Sequence, residues 1–311
     1  MNAPRAPSGL HPLRKRAPHA TRDPEKKFES RPLTVIYVMG PARAGSTILG
    51  VLLGNCDDIF YAGELDAWLR RGGVPVHTRA DRTKFWRGVA RGIGDYSSLH
   101  GDYCLRALEH STAIFRRAYW FNRDLRKRYR AFNRELYFTV ARSARARVVV
   151  DTSHYPLRAR ELRRAENLRL VLVYLTRDPN DIVRSFRTAS EGDHKGVIAA
   201  NAYLWLTHLL SVAIFLTHPR ERRVAISYAE VVEAPVATAR RVLRLAGAHS
   251  APPAASELRT GRAFAGNRLL KEENVYLQAA GAQGAGRSLT LTSVLQWPWR
   301  RIFRALASRQ Q

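Results

Sequence analysis

The chain has 311 residues, 45% hydrophobic and 9% aromatic, which supplies a full-sized core and excludes a disordered polymer. Two cysteines, Cys56 and Cys104, give neither a disulfide framework nor a metal-ligand cluster; they read as small apolar residues and fit a reducing compartment. Lysine and arginine total 52 against 26 acidic residues, and the net charge of +26 points to anionic partners: nucleic acid, anionic lipid or a polyanionic substrate.

Residues 1–30 are basic and contain several prolines without an apolar stretch, so they read as a disordered tail with no secretory signal. A domain over 31–280 is expected next, then a basic tail over 281–311. Leu33–Met39 (LTVIYVM) is a β-branched run ending at Gly40, the pattern of a buried parallel strand. Ser46–Gly54 (STILGVLLG) changes to helical spacing, so strand, glycine-bearing turn and helix follow one another directly. Residues 84–147 read as a long helical section dense in arginine and aromatics. Such interleaving suits nucleic acid, and equally a core stripe beside a solvated face; the section is also where an acceptor pocket is expected. Runs at 148–151 (VVVD), Leu168–Thr176 (LRLVLVYLT) and 223–228 (RVAISY) are three further strands, the last followed by helical spacing at 234–245.

Residues 196–218 carry no Asp, Glu, Lys or Arg and are long enough to cross a bilayer. Asn201, Thr207, His208, Ser211 and Thr217 would sit poorly in lipid, so the stretch is read as a buried helix of a globular domain. Periodicity fades after Gly261, and 295–308 (LQWPWRRIFRALAS) suits either a docking helix or contact with a membrane surface. Strands alternating with helices predict an α/β fold, a three-layer sandwich with a central parallel sheet flanked by helices.

Two motifs carry chemistry. Gly40-Pro-Ala-Arg43-Ala44-Gly45-Ser46-Thr47 has the glycine spacing of a P-loop, after a strand and before a helix. Glycines let the backbone approach an anion, and the helix N-terminus adds partial positive charge. The lysine that reaches the terminal phosphates of a triphosphate is replaced by Ser46, and the cation has moved to Arg43. Such a P-loop-like turn is poor for ATP and suited to a phosphate or phosphosulfate met by arginine and backbone amides. The second motif, Arg177-Asp-Pro-Asn-Asp-Ile-Val-Arg-Ser185, leaves the carboxyl end of a strand, where open α/β sheets bind ligands. Arg177 and the Ser185 hydroxyl can converge there on one phosphate.

These residues resemble the sulfotransferases that use 3′-phosphoadenosine-5′-phosphosulfate (PAPS). GPARAGSTILGVLLG is similar to the family's 5′-phosphosulfate loop, and LVYLTRDPNDIVRSF to its 3′-phosphate motif, with Arg177 and Ser185 at the two binding positions; the similarity runs over 33–268. The charge-free stretch before a strand also has a family counterpart, whereas the following turn departs, reading Tyr228-Ala229-Glu230, and receives no role. The resemblance implies that PAPS lies across the carboxyl edge of the sheet, on Arg43, Ala44, Gly45, Ser46 and Thr47 at one end and Arg177 and Ser185 at the other. It implies transfer of the sulfuryl group to a hydroxyl or amine of a carbohydrate, lipid or small molecule, with no metal. Glu64, in Tyr61-Ala-Gly-Glu64, resembles the family's GE base; His154, in His154-Tyr-Pro156, resembles the His-x-Pro base of another branch. Glu64 is expected as base, with His154 assisting the sulfuryl or acceptor oxygens. GRAFAGNRL at 261–269 resembles the late loop over the 3′-phosphate, with Arg268 as its cation. A cytoplasmic location with peripheral membrane contact is expected. The competing readings are a P-loop-type kinase or nucleotide-phosphate enzyme and a basic nucleic-acid-binding protein.

Overall fold

Five runs of β-branched and aromatic residues form one parallel sheet in the computed structural model, which describes residues 31–76, 79–188, 194–253, 258–277 and 291–308. The basic segment 1–30 lies outside the described residues. The strands are β1 (Leu33–Met39), β2 (Ile59–Gly63), β3 (Val148–His154), β4 (Leu168–Thr176) and β5 (Arg223–Ser227), ordered β2-β3-β1-β4-β5. All four pairings are parallel. From β1 the chain moves outward to β2, returns to β3, then crosses to β4 on the other side. The direction of winding therefore switches at β1, and a crevice opens at the carboxyl ends there.

One face of the sheet, through Ile36, Val38, Val150, Val171, Val173 and Val224, packs on α1 (Ser46–Gly54) and α8 (Pro235–Ala246). The other is covered by α3 (Arg123–Ala144), α4 (Pro156–Leu162) and α6 (Val197–Leu216). The remaining helices used below are α2 (Ala80–Arg91), α5 (Pro179–Arg187), α7 (Tyr228–Glu233), α9 (Leu291–Leu295) and α10 (Trp297–Ser308). The three-layer α/β sandwich expected from the sequence is present. β1, β4 and α1 begin and end where the sequence pattern puts them, and β3 runs on to His154. Residues 84–147 are not one helical section: α2 and α3 are separated by several helical segments of three to five residues. Strand β2 had no sequence counterpart, because IFYAG is five residues long and follows α1 after only a short turn.

Between sheet and helices lies a buried ionic cluster. Arg158 of α4, 1% exposed, donates to Glu109 Oε1 at 2.6 Å and to Asp151 Oδ2 at 3.3 Å. Tyr129 hydrogen-bonds Glu109, and Tyr137 hydrogen-bonds Asp151. Asp151 Oδ1 also accepts from the Ser153 amide at 2.8 Å, so the cluster fixes the strand end that carries His154. Removing one member strands the others without water. Arg158→Met is expected to lower stability by about 3–5 kcal/mol in urea denaturation, since it leaves two carboxylates buried without their cation.

Helix α6 turns its polar side inward. His208 Nδ1 lies 2.9 Å from the Tyr174 hydroxyl, and burial pushes the imidazole down to about 3. Asn201 Nδ2 donates to Thr292 Oγ1 at 3.0 Å, and Gln296 Nε2 donates to Asn201 Oδ1 at 3.0 Å. The C-terminal segment is thus a docking helix pair on α6. The expectation of a buried helix is corrected: α6 packs on one side only, with 39% of its apolar window buried.

Candidate active site

Every carboxyl end of β1 to β5 delivers a residue to one rim. The turn after β1 is tied down at its start by the Gly40 amide, which donates to the His154 carbonyl at 3.2 Å. Gly40 has φ of 147°, and a Cβ there would sit 2.3 Å from the Leu175 carbonyl oxygen. Gly45 has φ of 98°, and its Cβ would lie 2.3 Å from the Tyr228 ring. Both positions favour glycine by conformation and by space. Arg43 between them takes a left-handed φ of 70°, a conformation that costs a non-glycine residue energy and collects at functional sites. The Ala42 amide is held by the Tyr203 hydroxyl at 2.9 Å. Gly45 O accepts from the Ile48 and Leu49 amides, while those of Ser46 and Thr47 sit at the positive end of α1. Gly45→Ala is expected to cost about 1–3 kcal/mol of anion affinity, read by calorimetry, because loop or Tyr228 must move.

Arg177, at the end of β4, meets this turn directly. Its Nη1 donates to the Arg43 carbonyl at 3.3 Å, and its guanidinium lies 4.5 Å from the Tyr228 ring centroid. Asp181 Oδ2 is 3.6 Å from Nε, yet that buried nitrogen makes no hydrogen bond. Asp178 caps α5 by accepting from the Asn180 amide at 2.8 Å, and Pro179 opens the helix with its fixed φ. Ser185 follows on α5, half-buried.

Glu64 and His154 approach the turn from the β2 and β3 side. Glu64 is half-buried, its amide donating to Ala265 O at 2.9 Å. Burial, reinforced by Asp66 and Asp151, pushes its carboxyl up to about 8 against the opposing charges of Arg70 and Arg43. His154 has φ of 55° and a ring 4.4 Å from that of Tyr155; burial lowers its basicity, against the opposing charges of Asp66 and Asp151. The Asp66 amide donates to Ser153 Oγ at 3.0 Å, joining the two approaches. The 261–271 loop is drawn over α1 by Asn267, whose amide donates to Thr47 Oγ1 at 3.4 Å. Arg82, fully buried on α2, anchors the same loop by donating to Leu270 O at 3.1 Å and Gly261 O at 3.0 Å. Arg268 lies on this loop with its side chain exposed.

Tyr228 and Tyr203 have site positions that the sequence pattern does not announce. Tyr228 covers Gly45 and seats Arg177; its position right after β5 was the available signal. Ser227 and Glu230 form a capping box that sets the start of α7, legible as Ser-x-x-Glu. A separate cleft lined by Asp58, Arg145 and Arg259 lies at the amino ends of β2 and β3, away from this rim.

Residues 35–252 match the family model described as "Sulfotransferase family". Among solved structures, the sulfotransferase domain of the Synechococcus PCC 7002 olefin synthase superposes with a TM-score of 0.53 at 17% identity, covering 89% of this chain and 95% of that one. The sulfotransferase domain from the curacin biosynthetic pathway gives 0.51 at 14% identity, covering 87% and 98%. At such identities the likeness shows the fold. No curated protein matches the chain.

Proposed function

This chain belongs to the sulfotransferase family, and we propose that its crevice binds PAPS and that it is a PAPS-dependent enzyme acting on a hydroxyl or amine. The observation that carries the proposal is the contact between Arg177 and the Arg43 carbonyl, which joins motifs 134 residues apart in one crevice. The residues fit such a donor. The two glycines let the end of β4 and the Tyr228 ring pack directly against the turn, which holds its backbone in place, and Arg177 presents a buried nitrogen with no hydrogen bond.

In this reading Arg43 and the amides of Ala44, Gly45, Ser46 and Thr47 hold the 5′ end. Arg177 and Ser185 hold the 3′-phosphate, with Arg268 closing from the late loop. When bound, PAPS supplies an activated sulfuryl group that passes to the acceptor as adenosine 3′,5′-bisphosphate leaves. Arg43 and the loop amides neutralise charge gathering at the 5′ end, as preorganised donors do in phosphoryl transfer. Glu64 takes the acceptor proton at its carboxylate. His154 hydrogen-bonds the acceptor or sulfuryl oxygens. No metal role is assigned. The acceptor side is flanked by His110, whose ring lies 6.1 Å from that of Tyr155 and whose basicity falls through burial and the nearby Lys195 and Arg116. That cationic flank favours an anionic acceptor. We propose a cytoplasmic location.

Thermal denaturation tests the donor class. Adenosine 3′,5′-bisphosphate should raise the melting temperature in the presence of a chelator, by mass action on the folded state. Stabilisation by Mg·ATP but not by the bisphosphate contradicts the proposal and returns the kinase reading.

A further inference from the structure

Helix α6 is apolar on both sides: Ala200, Leu204, Ile214 and Phe215 are buried inward, and a second apolar row faces outward. Its inward side also carries Asn201, Thr207, His208 and Ser211, all buried. Its outward side carries Ile198, Ala202, Trp205, Leu209, Ala213 and Leu216, all exposed, at the spacing of one helical stripe. Ile198 is 78% exposed, Leu209 57% and Leu216 50%, and no polar residue interrupts the row. Eighteen residues of rise make this an apolar strip about 27 Å long. Isolated exposed apolar residues are ordinary, whereas a continuous row backed by inward polar groups marks an interaction surface.

The strip does not end at α6. Trp205 Nε1 donates to the Leu295 carbonyl at 3.0 Å, so α9 lies alongside, exposing Val294 at 61%. Trp297 follows, 53% exposed, with the Arg301 guanidinium 4.2 Å from its ring centroid. Arg301 and Arg304 are exposed on α10, and Arg220 is exposed just past the end of α6. The arrangement is an apolar band with tryptophans at its side and arginines at its margins.

We propose that this face docks on an anionic membrane surface, with the α6 strip lying in the interfacial plane and the marginal arginines on lipid phosphates. Charge decides the occupant. A second copy of a chain with net charge +26 would bring like-charged margins together, whereas anionic lipid complements them. Apolar burial and electrostatic attraction add in such binding, and tryptophan favours the headgroup level. The helix does not span: its inward side is already committed to α4, α5 and β4.

The full chain is to be sedimented with phosphatidylcholine vesicles and with vesicles also containing phosphatidylglycerol. Binding is expected to the anionic vesicles, weakening as salt rises. Leu209→Glu with Leu216→Glu should reduce it at least about tenfold while leaving the melting temperature and bisphosphate binding unchanged. Leu209→Ser is the milder variant should the double change fail to fold. Equal binding by the variants overturns the proposal and assigns the attachment to the basic tails alone. Absence of binding to either vesicle also overturns it, as does loss in the variant of a concentration-dependent self-association rather than of vesicle binding.

Discussion

Glu64→Gln is expected to abolish turnover and, at the same time, to make the protein more stable. The carboxyl is pushed up to about 8 from an ordinary 4.5, first by burial and then by the charges of Asp66 and Asp151. A raised value means that the folded state holds the proton more tightly than the unfolded chain does. Folding is therefore weakened by this group as pH rises above about 4.5, and the penalty is fully developed once pH passes about 8. Glutamine removes the ionisation. The variant should gain about 2–4 kcal/mol in urea denaturation at pH 8–9 and nearly nothing at pH 4. Catalytically, a base with this value gives a rate that climbs with pH up to about 8 and then levels. Loss of the base should cost about 10²–10⁴-fold in kcat, with bisphosphate affinity nearly intact. Retained turnover in this variant, with loss in His154→Ala, would transfer the base to His154.

Arg177→Ala is expected to weaken binding of adenosine 3′,5′-bisphosphate by about 100-fold, near 3 kcal/mol, measured by titration calorimetry. One guanidinium joins three structures: the Arg43 carbonyl, the Tyr228 ring and the site proposed for the 3′-phosphate. Alanine deletes the charge and also loosens the seat of the first turn. Arg177→Lys should recover little, because an ammonium cannot reproduce the planar fork that stacks and donates together. Native-like affinity in Arg177→Ala would remove this residue from the site.

Much of this site was written in local pattern. LTVIYVM followed by Gly40 and then STILGVLLG announces strand, turn and helix without help from the rest of the chain, and the Arg177 motif sits at the end of a nine-residue, mostly apolar strand. What the pattern lacked was long-range. β2 is short, and its place beside β3 is fixed by pairing rather than propensity. Tyr228 becomes a site residue only because β5 lies next to β4 and brings its ring over Gly45. The polar residues of α6 argued rightly against a span, but not for burial on every side: Asn201, Thr207, His208 and Ser211 face the protein while the opposite row stays exposed. Composition cannot distinguish the two arrangements.

The account stands on two anions of one nucleotide being held together, so the most direct measurement separates them. Wild type and Arg177→Ala are titrated with adenosine 3′,5′-bisphosphate and with adenosine 5′-monophosphate, which lacks the 3′-phosphate. The account predicts that wild type prefers the bisphosphate strongly and that Arg177→Ala binds both nucleotides alike. A bisphosphate preference that survives in Arg177→Ala would contradict it, because the 3′-phosphate would then be held elsewhere.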